Sequence, residues 1–431
     1  MDYEMQRLHP DMMARYEIDD RRPERVNAVQ FGMSDILLGA VDRLIDDARL
    51  GVGIACVDAG GAGYAEKLNR QEGLYTVVVR GDVNEEPLRR EQVVQCLKRA
   101  CGPENVEVLA ENPEIAFGIV DDDEAARALA ERFNARRQAA KLAPVFMLRL
   151  GENALIDSLA FRSEPDEAAR QCAEMNYLDD MLYLAEPYAR LTVCAPADFR
   201  EGFPLDRAGG VTFADEARLQ LAQRLKSQVF DAGLFLMAAA GWLNGCDTLF
   251  DCMKHQRLRR FVGEGFTKEI MPALADVDRA QVAQAVIDSF GRYENPLTRN
   301  RILRAADHLI RRFTRGALPA MRRLSEESFE PPRRLSFALA ATIMLYAGAR
   351  RGQSGYEVAR GRQIETLHDD EAVLQGFSTL AHDMPPESLA YAALADRELW
   401  GADLRAIDGL EERVVLDIAS MQRQPGYLPE A

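Results

Sequence analysis

The chain has 431 residues, 47% of them hydrophobic and 28% charged, with a formal net charge of -16. That length favours two domains, the composition is that of an ordinary globular protein, and the negative balance argues against a nucleic-acid partner. No apolar run reaches membrane-spanning length and Met1-Asp-Tyr-Glu-Met-Gln-Arg7 lacks a signal-peptide core, so a cytoplasmic protein without membrane contact is expected.

The seven cysteines (Cys56, Cys96, Cys101, Cys172, Cys194, Cys246 and Cys252) have no paired ligand spacing. They read as reduced thiols in small apolar sites, with neither a metal nor a disulfide framework.

Residues 1–21 open a polar stretch containing Pro10 and Pro23 and are expected to form an arm laid on the surface. From Arg25 the pattern changes. Val26-Asn-Ala-Val-Gln-Phe-Gly32 reads as a short strand, and Asp35–Leu50 as an amphipathic helix with Ile36, Leu37, Ala40, Val41, Leu44 and Ile45 along one side. Val52–Asp58 is a second buried strand. Strand, glycine turn, helix, strand, acid is the order of a dinucleotide-binding unit, with Gly32 and Ser34 at the phosphate turn and Asp58 as the ribose-binding acid. Only the first glycine of the usual fingerprint is present, so the same residues also suit a structural turn in which Ser34 or Asp35 caps the helix.

Downstream, Glu72–Arg80 is a strand, Val93–Ala100 has helical character, and Glu111–Val120 is a turn running into a strand. Asp121–Lys141 is a charged amphipathic helix and Pro144–Leu150 another strand. The alternation predicts an α/β, Rossmann-like domain with a largely parallel sheet over 22–210. From 215 to 431 the pattern is helix after helix, which predicts an all-α C-terminal domain.

Within that second half, Arg224–Gly245 has no proline, is rich in Leu, Met and Ala, and stops at Asn244-Gly245, so it reads as one buried helix. Polar groups there are costly to bury unless paired, which singles out Lys226 and Asp231. In an α-helix, residues five apart are offset by about 140°. The two meet only if the helix is irregular at that point or Lys226 bends across; once paired, the carboxylate would keep the ammonium charged.

The blocks Gln30-Phe-Gly32, Gln71-Glu-Gly-Leu-Tyr-Thr-Val-Val-Val-Arg-Gly81, Glu111-Asn-Pro-Glu114, Gly291-Arg-Tyr-Glu-Asn-Pro296 and Arg334-Leu-Ser-Phe-Ala-Leu-Ala-Ala341 together resemble a known family. It is that of the tagaturonate reductases, or altronate oxidoreductases, among the long-chain polyol and mannitol dehydrogenases, and the likeness runs from about Glu24 to Met421. The resemblance implies an NAD-binding domain, a helical C-terminal domain, and metal-free hydride transfer between a keto-hexuronate and an aldonate. A sugar acid or polyol is the implied small-molecule partner.

By the same resemblance Lys226 is the acid/base, while Asp231 and Leu234 stand where the family has an asparagine and a histidine that polarise the carbonyl. Asn295, Arg312 and Arg315 fall on the substrate side, and Asn300 stands for a histidine. Ser34 and Asp35 replace a glycine and an asparagine of the cofactor turn, and Asp121-Asp-Asp-Glu124 replaces Asn-Thr-Thr-Glu.

These departures carry chemistry. Leucine donates no hydrogen bond and an ionised aspartate only accepts them. Each lost donor of this kind removes about 3 kcal/mol of transition-state stabilisation. An ionised Asp35 about 5 Å from a pyrophosphate charge would be repelled by about 3 kcal/mol at an effective dielectric of about 20. Two functions follow: an NAD-dependent oxidoreductase of weakened or altered activity, or a pseudoenzyme whose fold is kept for binding a ligand or partner. Arg299, Arg301, Arg304, Arg311, Arg322 and Arg323 crowd around Arg312 and Arg315, so a solvated basic helix competes with a carboxylate clamp. His255 and His308 lack spaced partners and are expected in surface or capping roles.

Overall fold

The computed structural model describes residues 5–58, 60, 63–83, 86–296, 301–352 and 355–429. The chain forms two compact units, Met1–Gln223 and Arg224–Ala431.

The strands of the first unit are β1 (Ala28–Phe31), β2 (Ile54–Val57), β3 (Tyr75–Val83), β4 (Glu86–Val94), β5 (Leu97–Cys101), β6 (Phe117–Val120), β7 (Phe146–Arg149), β8 (Ala154–Arg162), β9 (Tyr183–Val193) and β10 (Val211–Phe213). One sheet has the order β5-β2-β1-β6-β7 and is parallel throughout. Its members thus run third, second, first, fourth, fifth in chain order, as in one half of a doubly wound fold, with a switch point between β1 and β6.

These strands form because both of their faces are covered, which asks for uninterrupted apolar runs rather than alternation. Val29 and Phe31 face the helix Glu124–Ala139, where the Phe31 and Phe133 rings meet edge to face at 5.5 Å. Ala28, Ile54 and Cys56 point the other way, into a core shared with Leu37, Ala40, Val41 and Leu44 of the first helix.

Three expectations change here. Val93–Ala100 is not helical: it ends β4 and enters β5, because β4 pairs antiparallel with β3 from Tyr75↔Val94 to Val83↔Glu86 and β5 pairs with β2. The strand over Glu72–Arg80 belongs to a second, mixed sheet of order β10-β9-β3-β4, with β8 also paired to β9. The N-terminal arm is more than a surface feature, since Leu8, Met12 and Met13 are buried in a cluster with Leu74, Val78, Met175 and Leu182.

The second unit is helical apart from a small antiparallel sheet of β11 (Arg350–Gly352), β12 (Gly355–Arg360) and β13 (Gln363–Thr366), which the all-α reading missed. The expected helix is present and every residue from Val229 to Trp242 is buried. It ends at Leu243, and Gly245 follows with φ +87°, a left-handed stop that glycine adopts without strain.

The helix is not regular. Lys226–Asp231 is a π segment, as are Phe266–Ile270 and Phe313–Ala317. A π turn bonds i to i+5 and breaks the α pattern of carbonyl acceptors. The Phe230 carbonyl accepts a hydrogen bond from the Tyr293 hydroxyl. The Ser227 carbonyl faces the Phe313–Ala317 segment so closely that a Cβ on Gly316 would lie 2.4 Å from its oxygen.

Candidate functional site

Two constellations carry chemistry, one in each unit. The first lies at the switch point. Gly32 follows β1 with φ +105° and a Cβ there would sit 2.7 Å from the Asp121 Cβ, so only glycine fits beside the residue that ends β6. Ser34 caps the first helix: its Oγ accepts from the Leu37 N–H at 3.4 Å, which is the structural role the sequence allowed.

Ser34 has a second duty. Its hydroxyl and its backbone N–H both donate to the Asp121 carboxylate, which also accepts from Asp122 N–H at 3.0 Å. Asp121 is 7% exposed. Burial, opposed by the Ser34 bond and reinforced by the Asp123 charge, pushes its carboxyl up to about 6. Behind it Asp42 is fully buried, in contact with the Gln30 amide at 3.4 Å and the Tyr75 hydroxyl at 3.3 Å. Burial pushes that acid to about 8 despite both contacts.

A dinucleotide needs an anion-accepting helix N-terminus and a ribose-binding acid. Asp58 ends β2, is buried, and accepts from Gly60 N–H at 3.0 Å, which suits the second requirement. The first is compromised. The Ser34 donors already serve an internal anion, and an ionised Asp121 would repel a pyrophosphate beside it. A groove of about 460 Å³ in this unit lies elsewhere, lined by Tyr16, Arg21, Arg90, Gln92 and Tyr177, none of them among the residues singled out from sequence.

The second constellation is at the π segment. Lys226 Nζ lies 2.7 Å from Asp231 Oδ2, although the two are five residues apart. The i to i+5 geometry of the π turn supplies the irregularity that the α-helical offset required. The other Asp231 oxygen accepts from Arg312 Nη1. Arg312 also donates to the Asp307 carboxylate at 2.6 Å and to the Asp307 carbonyl at 2.8 Å. Burial works against its charge, but Asp231 and Asp307 outweigh that and hold its pKa above the usual value. For Asp307 burial also opposes charge, and Arg312, with smaller help from His308, holds the carboxyl below its ordinary range.

Arg312 is therefore engaged by the protein's own carboxylates rather than held as a free clamp. Arg315 lies three residues on and is exposed, and Asn295 is buried. Asn300 lies outside the described residues. Leu234 is fully buried on the helix. His255 caps its helix by accepting from Leu258 N–H, as expected.

His308 stands at the N-cap position of the helix Leu309–Arg312 and is partly exposed, as expected, but it also has partners that the sequence did not show. Its Nδ1 lies 3.7 Å from Asp369 and 3.5 Å from Asp370, and the three side chains offer ligand atoms within 4.8 Å of one another. Asp369 is already engaged by the Tyr346 hydroxyl at 2.6 Å, and its interaction with His308 raises the imidazole pKa against the effect of burial.

Sequence reasoning noted Asp121 only as part of an altered motif and missed Asp307, Asp369 and Asp370. Asp369 and Asp370 gain meaning from His308, distant in sequence, and Asp307 from Arg312, five residues on.

Comparison with known proteins finds similarity in both units. Residues 225–422 match the mannitol dehydrogenase C-terminal domain. Altronate oxidoreductase from Yersinia enterocolitica is 25% identical over 91% of this chain and 93% of its own, and that of Bacillus subtilis 23% identical over 96% and 95%. Mannitol 2-dehydrogenase from Pseudomonas fluorescens, solved as a ternary complex with NAD and D-mannitol, superposes with a TM-score of 0.79 at 13% identity, covering 98% of both chains. A D-sorbitol dehydrogenase in substrate-free form gives a TM-score of 0.64 at 15% identity over 98% of this chain and 99% of its own. At these identities the solved structures establish the fold alone.

Proposed function

For a chain whose residues 225–422 are a mannitol dehydrogenase C-terminal domain, we propose an oxidoreductase that interconverts a keto-hexuronate and an aldonate, with activity much reduced. The observation that carries this reading is the Lys226–Asp231 pair at the π segment. Reduction of a ketone needs a proton delivered to the oxygen. Lys226 has three N–H donors and one is committed to Asp231, which leaves donors for a substrate oxygen.

What is lost is polarisation. Asp231 offers no donor in its ionised form, its oxygens are taken by Lys226 and Arg312, and Leu234 offers none at all. Two missing donors at about 3 kcal/mol each correspond to turnover slower by several orders of magnitude.

A second reading, a non-catalytic protein that keeps the fold for ligand or partner binding, is supported by the Asp121 carboxylate, which engages the Ser34 donors beside Gly32. Fluorescence titration with NADH and turnover of tagaturonate by the full chain separate the two. The first reading expects slow turnover that Lys226→Ala abolishes and Asp231→Asn with Leu234→His raises. Absence of NADH binding at both neutral and mildly acidic pH, with no turnover by any variant, would establish the second.

A further inference from the structure

The search of side-chain clusters outside these constellations ends at the far end of the central helix. We propose that Cys246 and Cys252 form a peroxide-oxidisable dithiol, a modification site that closes to an intrachain disulfide. Sequence spacing gave no reason to pair them, and the fold brings them together.

The helix stops at Leu243, the chain turns back so that Cys246 N–H donates to the Gly241 carbonyl at 3.0 Å, and Cys252 sits in the next helix, Leu249–Lys254. Both converge on Gly241, where a Cβ would lie 2.5 Å from the Cys252 sulfur and 3.8 Å from the Cys246 Cβ. The two thiols share a hydrogen bond. The turn is held from outside by Arg360, whose Nη1 donates to the Trp242 carbonyl at 2.8 Å and the Cys246 carbonyl at 2.9 Å, with the guanidinium 4.0 Å over the Trp242 ring.

The two sulfurs are chemically unequal. The bond with Cys252 holds the Cys246 thiol below its ordinary value, against burial and the Asp251 charge and with smaller help from Arg360. Burial pushes the Cys252 thiol well up. Cys246 is slightly exposed at 5% and Cys252 not at all. A lower-pKa thiol at the surface side backed by a buried partner is the arrangement of an attacking and a resolving cysteine.

The Cys246 thiolate attacks one oxygen of hydrogen peroxide, the O–O bond breaks, and the products are a sulfenic acid on Cys246 and water once the leaving hydroxide takes a proton. The Cys252 sulfur then attacks the Cys246 sulfur, an S–S bond forms, and the hydroxyl leaves as water with the Cys252 proton. Two electrons pass from the sulfurs to the peroxide. Among the other described thiols, Cys56, Cys96, Cys101 and Cys172 are all pushed up by burial.

The test uses the full chain treated with stoichiometric hydrogen peroxide, alkylated under denaturing conditions and digested with trypsin. Both cysteines fall in one peptide, Ser227–Lys254, which contains no internal Lys or Arg. The expected result is that this peptide is recovered unalkylated and lighter by two hydrogens, with two of the seven thiols lost and regained with dithiothreitol. In Cys252→Ser a sulfenic acid should accumulate on Cys246 and be trapped by dimedone. The proposal is overturned if Ser227–Lys254 remains fully alkylated in wild-type protein while Cys56 or Cys101 oxidises, a result that needs no variant to fold.

Discussion

The switch point of the first unit and the π junction of the second both hold a buried aspartate, and the two differ in what faces it. Asp121 meets neutral donors from Ser34 and Asp122, with a further acid, Asp123, nearby. Asp231 meets two cations, Lys226 and Arg312. The same carboxylate is therefore a poorly compensated charge in one place and the centre of an ion cluster in the other. Burial sets the cost of a charge and the local partners decide whether that cost is offset, so a buried aspartate has no fixed consequence.

The largest effect expected from breaking the contrast is at the π junction. Arg312→Ala leaves Asp231, 7% exposed, with half its compensation, and should lower unfolding free energy by about 3 kcal/mol or more in urea titrations. Adding Asp231→Asn should restore much of that loss, because no buried carboxylate is then left short of a partner. A double variant no more stable than Arg312→Ala alone would show that the cluster does not behave as a charge-compensated unit.

At the switch point the pH dependence runs the other way from a salt-bridged acid. The Asp121 carboxyl sits at about 6 in the folded protein against an ordinary value of 3.8, so between those values the folded state holds a proton that the unfolded state has released. Stability is therefore lost as pH rises across that window, by up to about 3 kcal/mol at about 1.4 kcal/mol per unit. Asp121→Asn should flatten this part of the pH–stability profile. It should also tighten NADH binding at neutral pH by about tenfold or more, the equivalent of about 1.4 kcal/mol of relieved repulsion. Wild-type affinity for NADH that does not change as pH falls through that window would remove Asp121 as the obstacle.

A smaller effect sharpens the geometry. Gly316→Ala forces a methyl against the Ser227 carbonyl at 2.4 Å, an oxygen on rigid backbone. Overpacking of this kind costs about 1–3 kcal/mol and should show as a lowered thermal midpoint. If the two π segments move apart, the Lys226–Asp231–Arg312 contacts loosen with them. An alanine variant as stable as wild type would mean that the approach is less tight than it looks.

The parts of this protein legible in the sequence are those where one local pattern suffices. Ala28–Phe31, Ile54–Val57 and Phe117–Val120 announce themselves as apolar runs between turn residues because both faces are buried. Val93–Ala100 misleads because its helix-like spacing of apolar residues is overruled by pairing with β3 and β2, which local sequence does not encode. The site divides in the same way. Lys226 and Asp231 were visible as charges on an apolar helix, but a helix buried on all sides has no polar face to betray the π turn that joins them. The bonds of Ser34 to Asp121, Asp231 to Arg312 and Cys246 to Cys252 depend on how separate elements stack, and the amino-acid order carries no separate mark for them.

The π turn at Lys226–Asp231 also fixes the timing of everything after it. Each residue of an α-helix advances the side-chain direction by about 100°. Because a π turn holds one residue more than the α pattern, Ala232–Leu243 is phased one step away from where an unbroken α-helix would put it. Deleting a single residue between 227 and 230 would close the π turn into an α turn and leave the eleven buried residues Ala232–Trp242 facing their present neighbours, whereas deleting one just after Asp231 would turn the buried side chains that follow by about 100°. The π turn is thus the one point on this buried helix where a one-residue deletion leaves the packing in register, a latitude otherwise expected of loops.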